Sequence, residues 1–348
     1  QAVWLWDSKD PFLGRAYLPF GARALRFYGP SLPPGTPLEL KLRIRRREPQ
    51  VVVADVEGVD SQGNLRIVIE ELTDREFPIS PALHRMMMEP LDHYFADVRT
   101  LELALPGQGS TPISFSTIAD FPLPVLEGSF GVWRKALAFL ILSPPEREAW
   151  MGFKLSMRRE ILWLLGRAAA KDALRHQYQE RTGRRFASAD LILRNEPSGR
   201  PFAAGVWQGE LREVPEISIS HTEGMAVAVA AAMPSGGRIG VDTEKIRTPS
   251  QDLLDAAFSS EELGLLQQTP EADRSEWVFR FWCAKEAVGK ALGSGVPLDP
   301  RELAVTASDG QTGVVTVRLR TGDHAPVTTF QQGQHVFAIA ALSGAGRR

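Results

Sequence analysis

GVDTEK, residues 240–245, and FWCAKEAVGKALG, residues 281–293, decide how this chain is read. In the first, Asp242 and Glu244 stand two positions apart on an apolar strand, and a period of two puts both carboxylates on one face. Side-by-side carboxylates repel each other unless a cation sits between them. Alone, the pair also reads as a solvent-facing strand end. In the second stretch Phe281, Trp282 and Ala284 are core anchors of a helix, and Glu286 and Lys290 share a face four residues apart. An ordinary intrahelical ion pair meets that spacing. So does a third carboxylate beside the first two, with an ammonium one turn on that faces a phosphate. Hard oxygen donors at this density favour Mg²⁺ over a soft metal. Lys285 lies about 100° round the same helix, where it binds a phosphate or is solvated.

Upstream, Ser220 and His221 in SISHTEG (218–224) sit where an apolar strand ends. A hydroxyl and an imidazole there suit a phosphate or a ribose, or the histidine is structural. No acid is placed to make Ser220 a triad nucleophile, and six scattered histidines with one cysteine argue against zinc. Arg167 and Lys171, four apart among alanines, form a basic helix face that is either solvated or docked on a phosphate. Gly199-Arg200-Pro201 holds a further cation in a stiff turn.

Farther out, residues 17–71 read as an antiparallel meander of ALRFY, LELKLRIRRR, QVVVADVEGVD and NLRIVIEEL. Lys41, Arg43 and Arg45 alternate onto one face, solvated or partner-binding. Residues 72–125 are irregular, with a helix at PALHRMMMEPLDHYFADV and a Gly/Pro/Ser/Thr loop at 105–113, and a domain boundary falls in this stretch. Then come a helix or strand at 131–143, a helix opened by Ser143-Pro144-Pro145-Glu146, and a long helix across 156–181. The strands EISIS, MAVAVAAAM and RIGVDTEKI follow, then helices at 250–268 and 272–292 and closing strands at 302–306, 313–320 and 335–342.

Forty basic and forty-two acidic side chains in 348 residues leave a net charge of -2, so no bulk field favours nucleic acid or anionic lipid. With 43% hydrophobic residues the chain can bury large cores. The single Cys283 allows no internal disulfide and fits a reducing compartment, the cytoplasm. MAVAVAAAM is far too short for a membrane span. The start, QAVWLWDSKD, has neither an initiator Met nor a signal-peptide plan, and reads as a segment of a longer polypeptide.

In order, NEPSGRP (195–201), SISHTEG, GVDTEK and FWCAKEAVGK resemble the 4'-phosphopantetheinyl transferases of the Sfp-like class. WLLGRAAAKDALR (163–175) is similar to the form found in transferases fused to large synthases. The resemblance covers roughly 126–348. It implies an α+β fold of two similar halves related by a pseudo-twofold, with coenzyme A and Mg²⁺ bound between them. It implies that Asp242, Glu244 and Glu286 hold the metal on the coenzyme's pyrophosphate and that Lys290 and Lys285 face phosphates. Ser220, His221 and Arg200 match positions that grip the coenzyme, and Arg167 with Lys171 match positions at its 3'-phosphate end. Glu286, Lys290 and Asp242 are the implied catalytic set. Cys283 falls at a position of small residues and reads as core.

The 17–71 segment is similar to the second hot-dog half of a polyketide synthase dehydratase, through LPFG, GPSLPPG and VVVADVEGVDSQGNLRIVIEELTDREF. No equivalent of that family's catalytic Asp is visible, and Asp7 and Asp10 do not align with it. The implied organisation is a hot-dog-like segment over 1–125 and transferase halves over 126–232 and 233–348. The implied activity is transfer of phosphopantetheine from coenzyme A to a carrier-protein serine, releasing 3',5'-ADP, within a polyketide-type synthase. A non-catalytic docking or scaffold region and a dehydratase of 3-hydroxyacyl thioesters are the alternatives.

Overall fold

A computed structural model describes residues 15–105, 109–128, 131–205, 213–293 and 300–343. The chain divides into two compact units, Gln1–Met88 and Glu89–Arg348. This division lies inside the irregular 72–125 stretch, nearer its start than the limit at 125.

The first unit is an antiparallel sheet of β1 (Arg15–Gly21), β2 (Ala24–Phe27), β3 (Glu39–Glu48), β4 (Val51–Val59) and β5 (Leu65–Pro78), followed by helix α1 (Pro81–Met88). Its order is β1-β5-β4-β3, with β2 also on β5. The helix expected over PALHRMMMEPLDHYFADV stops at Met88, because Pro90 disfavours helical backbone just before it. On β3, Arg45 pairs with Asp55 at 2.6 Å and Lys41 lies opposite Glu57, so the basic stripe is partly neutralised within its own sheet. Asp7 and Asp10 lie outside the described residues.

The second unit starts with a hairpin, β6 (Asp97–Leu105) and β7 (Gly109–Ala119). Helices α2 (Leu123–Glu127), α3 (Val132–Ile141), α4 (Pro144–Met151) and α5 (Met157–Thr182) follow, then β8 (Leu191–Asn195), β9 (Pro201–Gly205), β10 (Glu216–Thr222) and β11 (Met225–Ala231). The chain continues through β12 (Arg238–Lys245), α6 (Gln251–Ala257), α7 (Ser260–Gln267) and α8 (Glu271–Leu292), and ends in β13 (Ala304–Ser308), β14 (Val314–Arg318), β15 (His324–Gln332) and β16 (His335–Leu342). One sheet has the order β10-β11-β7-β6, and α5 packs on it. A second has the order β12-β16-β15-β14-β13, and α8 packs on it.

The β6–β7 hairpin corrects the irregular reading of 97–119. Leu101, Leu103 and Leu105 alternate along β6, and β7 pairs with β11 from Met225↔Ala119 to Ala230↔Ser114. These strands therefore belong to the second unit. Ile113, Phe115, Val227, Val229, Val241, Phe337 and Ile339 form one buried cluster drawn from both sheets. Each such side chain contributes roughly 1.5–3 kcal/mol of burial. The two long helices share a stop signal: Gly183 after α5 and Gly293 after α8 both take φ near +70°, where glycine carries no Cβ penalty. Among the described residues no helix is long and apolar enough to cross a membrane.

Candidate active site

Gly240 explains how α8 reaches β12. A Cβ there would overlap the carbonyl oxygen of Ala287, so only glycine lets the strand touch the helix backbone. That contact brings Glu286 and Lys290 over Asp242 and Glu244. Lys290 Nζ donates to Asp242 Oδ1 at 2.7 Å, to Val241 O at 3.0 Å and to Ile219 O at 3.3 Å. An ammonium has three donors, and Lys290 uses all of them to join β10 and β12 at the acid. The cation that relieves Asp242 is thus Lys290, and the intrahelical Glu286–Lys290 ion pair that the spacing also allows is absent from the described contacts.

Ser220 Oγ donates to the same Asp242 oxygen at 2.7 Å, and Thr222 Oγ1 donates to Glu244 Oε2 at 3.1 Å. Arg247 reaches Glu244 at 3.4 Å from an exposed position. Among the described residues no hydrogen bond or ion pair reaches the Glu286 carboxylate. Burial pushes Glu286 above the usual glutamate range, the charges of Asp242 and then Glu244 reinforce the shift on either side of Lys290 in importance, and Lys290 opposes it. A carboxyl with raised proton affinity is suited to accept a proton. His221 is held below the ordinary imidazole value, chiefly by desolvation and further by Lys290, which favours its neutral form. Cys283 is fully buried, and burial followed by the Asp242 charge pushes its thiol well above the ordinary value. It is a packed thiol, not a nucleophile.

The other expected phosphate ligands are held elsewhere. Lys171 is 0% exposed and donates to Glu146 Oε2 at 2.5 Å, Leu191 O at 2.8 Å and Ile141 O at 2.6 Å. Lys285 is 1% exposed and donates to Ala257 O at 2.6 Å and to Glu262 at 2.7 Å. Burial and these acceptors tie both lysines inside the protein, where the resemblance implied coenzyme contacts. Arg167 is also buried, donating to Leu193 O at 2.8 Å and Asn195 Oδ1 at 3.0 Å and lying over the Trp163 ring. Arg200 is clamped between Glu196 at 2.6 Å and Glu216 at 2.5 Å, so its charge is met within the protein. The fold brings together Asp242, Glu244, Glu286, Lys290, Ser220 and His221, and keeps Arg167, Lys171 and Lys285 in their own buried contacts. Thr222 joins the first group, and the alternation of Ser218, Ser220 and Thr222 along β10 was the signal that could have found it.

The donor chemistry of Asp242, Glu244 and Glu286 suits a hard divalent cation, and the charges of Asp242 and Glu244 both act on Glu286. As the side chains stand, no group of three His, Cys, Asp or Glu among the described residues is gathered to hold a metal.

Residues 238–340 match the 4'-phosphopantetheinyl transferase superfamily. This stretch contains all three carboxylates and Lys290. The 4'-phosphopantetheinyl transferase HetI of Nostoc sp. is 33% identical over 133 residues, which are 37% of this chain and 52% of that protein. This chain thus spans about half the length of that relative. The 4'-phosphopantetheinyl transferase of Bacillus subtilis is 25% identical over 172 residues, 46% of this chain and 73% of the relative. Among solved structures, a holo-(acyl-carrier-protein) synthase from Bacillus anthracis in complex with CoA (3',5'-ADP) has 26% sequence identity over 34% of this chain and 91% of that one, with a TM-score of 0.26.

Proposed function

We propose that this chain transfers the 4'-phosphopantetheine arm of coenzyme A to a serine of an acyl or peptidyl carrier protein. The observation that carries the reading is that the superfamily match at 238–340 contains Asp242, Glu244, Glu286 and Lys290, the residues that the β12–α8 contact places together. In the reaction the carrier serine oxygen attacks the β-phosphorus of coenzyme A, the bond from that phosphorus to the bridging oxygen breaks, and 3',5'-ADP leaves. Glu286, raised in proton affinity and without a hydrogen-bond partner among the described residues, takes the serine proton. Lys290 and Ser220 orient Asp242, and His221, whose neutral form is favoured, offers a ring nitrogen beside them. Asp242, Glu244 and Glu286 would hold Mg²⁺, which neutralises pyrophosphate charge when bound.

The proposed setting is the cytoplasm, in a multidomain polyketide-type synthase whose own carrier domains are modified. In support of a pseudo-twofold transferase fold, α5 and α8 each pack on an antiparallel sheet and each carries a lysine buried against a glutamate of the preceding short helix. The N-terminal sheet is proposed as the hot-dog-like segment, ending near Met88. Mass spectrometry of a carrier protein incubated with the chain, coenzyme A and Mg²⁺ tests the function. A gain of one phosphopantetheine is expected, and an unmodified carrier sinks the reading in favour of a scaffold role.

A further inference from the structure

We propose that Thr222 is a positioning residue that holds the Glu244 carboxylate for the metal-binding set, an inference that rests on the transferase reading above. Strands β10 and β12 belong to different sheets, so no backbone ladder sets their register. Side chains do so instead. Ser218, Ser220 and Thr222 alternate onto one face of β10. Ser218 Oγ accepts from Val241 N–H at 3.0 Å, Ser220 donates to Asp242 at 2.7 Å, and Thr222 donates to Glu244 at 3.1 Å. These three rungs run along the seam where the two sheets meet.

The rungs are unequal in what else supports their partners. Asp242 has Lys290 as a second holder at 2.7 Å. Among the described residues Glu244 has only Arg247 besides Thr222, at 3.4 Å on a side chain 59% exposed. An exposed pair of that length is worth little, whereas a hydroxyl bond to a charged acceptor from a half-buried, β-branched side chain fixes the rotamer. Thr222 is therefore the group on which the placement of Glu244 depends.

The test compares wild type with Thr222→Val, which keeps the shape and removes the donor, with Thr222→Ala as a second donorless variant and Thr222→Ser to restore it. Mn²⁺ is titrated into each protein alone and followed by the electron paramagnetic resonance of free Mn²⁺. Carrier modification is measured alongside, with the thermal midpoint of each variant. Both donorless variants should bind Mn²⁺ about 10-fold more weakly and lose kcat by a similar factor, Ser should restore both, and the midpoint of the Val variant should stay at the wild-type value. Wild-type Mn²⁺ affinity in the donorless variants, failure of Ser to restore it, or no Mn²⁺ binding by wild type each overturns the proposal. A wild type that shows the Mn²⁺ pattern yet modifies no carrier sinks the transferase reading and leaves Thr222 as the holder of Glu244.

Discussion

Two regions of the second unit are built on the same local scheme and put it to different use. Around α4 and α5, Ser143 donates its N–H and hydroxyl to Glu146 Oε2, Lys171 reaches that carboxylate, and Glu146 Oε1 accepts from Leu193 N–H. Around α7 and α8, Ser259 N–H donates to Glu262 Oε2, Lys285 reaches that carboxylate, and Glu262 Oε1 accepts from Val305 N–H. Each lysine also ties the carbonyl two residues before the capping serine, Ile141 or Ala257. The next residue on each long helix is an acid, Asp172 or Glu286. Asp172 is fully buried and saturated: it accepts from Phe95 N–H at 2.7 Å, Ala96 N–H at 3.0 Å and Arg175 at 3.0 Å. Glu286 has no such donors among the described residues and faces two other carboxylates. The same slot on the same kind of helix is structural where backbone donors close round it, and open to chemistry where a strand with acids does.

The comparison breaks most sharply at these two acids. Glu286→Gln should lower carrier modification by at least about 100-fold while the protein stays folded, because a neutral isostere suits a site that disfavours the charge. Asp172→Asn should do the reverse. Its amide places donors against donors, so the urea midpoint falls, and the protein that remains folded modifies carrier at the wild-type rate. Equal activity losses in the two folded variants would abolish the distinction.

The shared scheme itself is tested by Lys171→Met and Lys285→Met. Each leaves a buried glutamate without its counter-charge, and each should cost about 3–5 kcal/mol in urea unfolding. A negligible cost at one site would show that the two ties are not equivalent.

A smaller effect concerns pH. Burial pushes Lys171 down to about 8, against 10.5 for an ordinary lysine, and outweighs the attraction of Glu146. Between those values the unfolded chain binds more protons than the native one, so the contribution of this group to stability rises with pH through that window. The slope of the urea midpoint against pH, measured from pH 8 upward, should be more positive in wild type than in Lys171→Met, since the buried Cys283 thiol contributes the same opposing slope to both. The same slope in both proteins would place the pH dependence elsewhere.

Much of this was legible from residue patterns. The alternation in GVDTEK and the helical spacing in FWCAKEAVGK mark β12 and α8, and Ser143-Pro144-Pro145-Glu146 marks the start of α4. The strand β15 escaped, since HAPVTTFQQ carries a proline and a polar end that weaken the strand pattern. Lys171 and Lys285 were legible as cations, but not as buried ones. A lysine beside a helix face that carries phosphate ligands looks the same in sequence as one tied to a glutamate 25 or 23 residues upstream.

By itself the sequence determined the kinds of element, because periods of two and of 3.6 residues follow from the backbone and appear in the order of side chains. It also determined the chemistry available to the candidate site, the carboxylates of Asp242, Glu244 and Glu286 and the ammonium of Lys290. The tertiary structure decided which charges remain available for a ligand. That depends on the donors and acceptors that distant strands bring within hydrogen-bond reach, and on how deeply each group is taken out of water. Gly240 stands between the two: its identity is plain in the sequence, and only the contact with the Ala287 carbonyl shows why the site requires it.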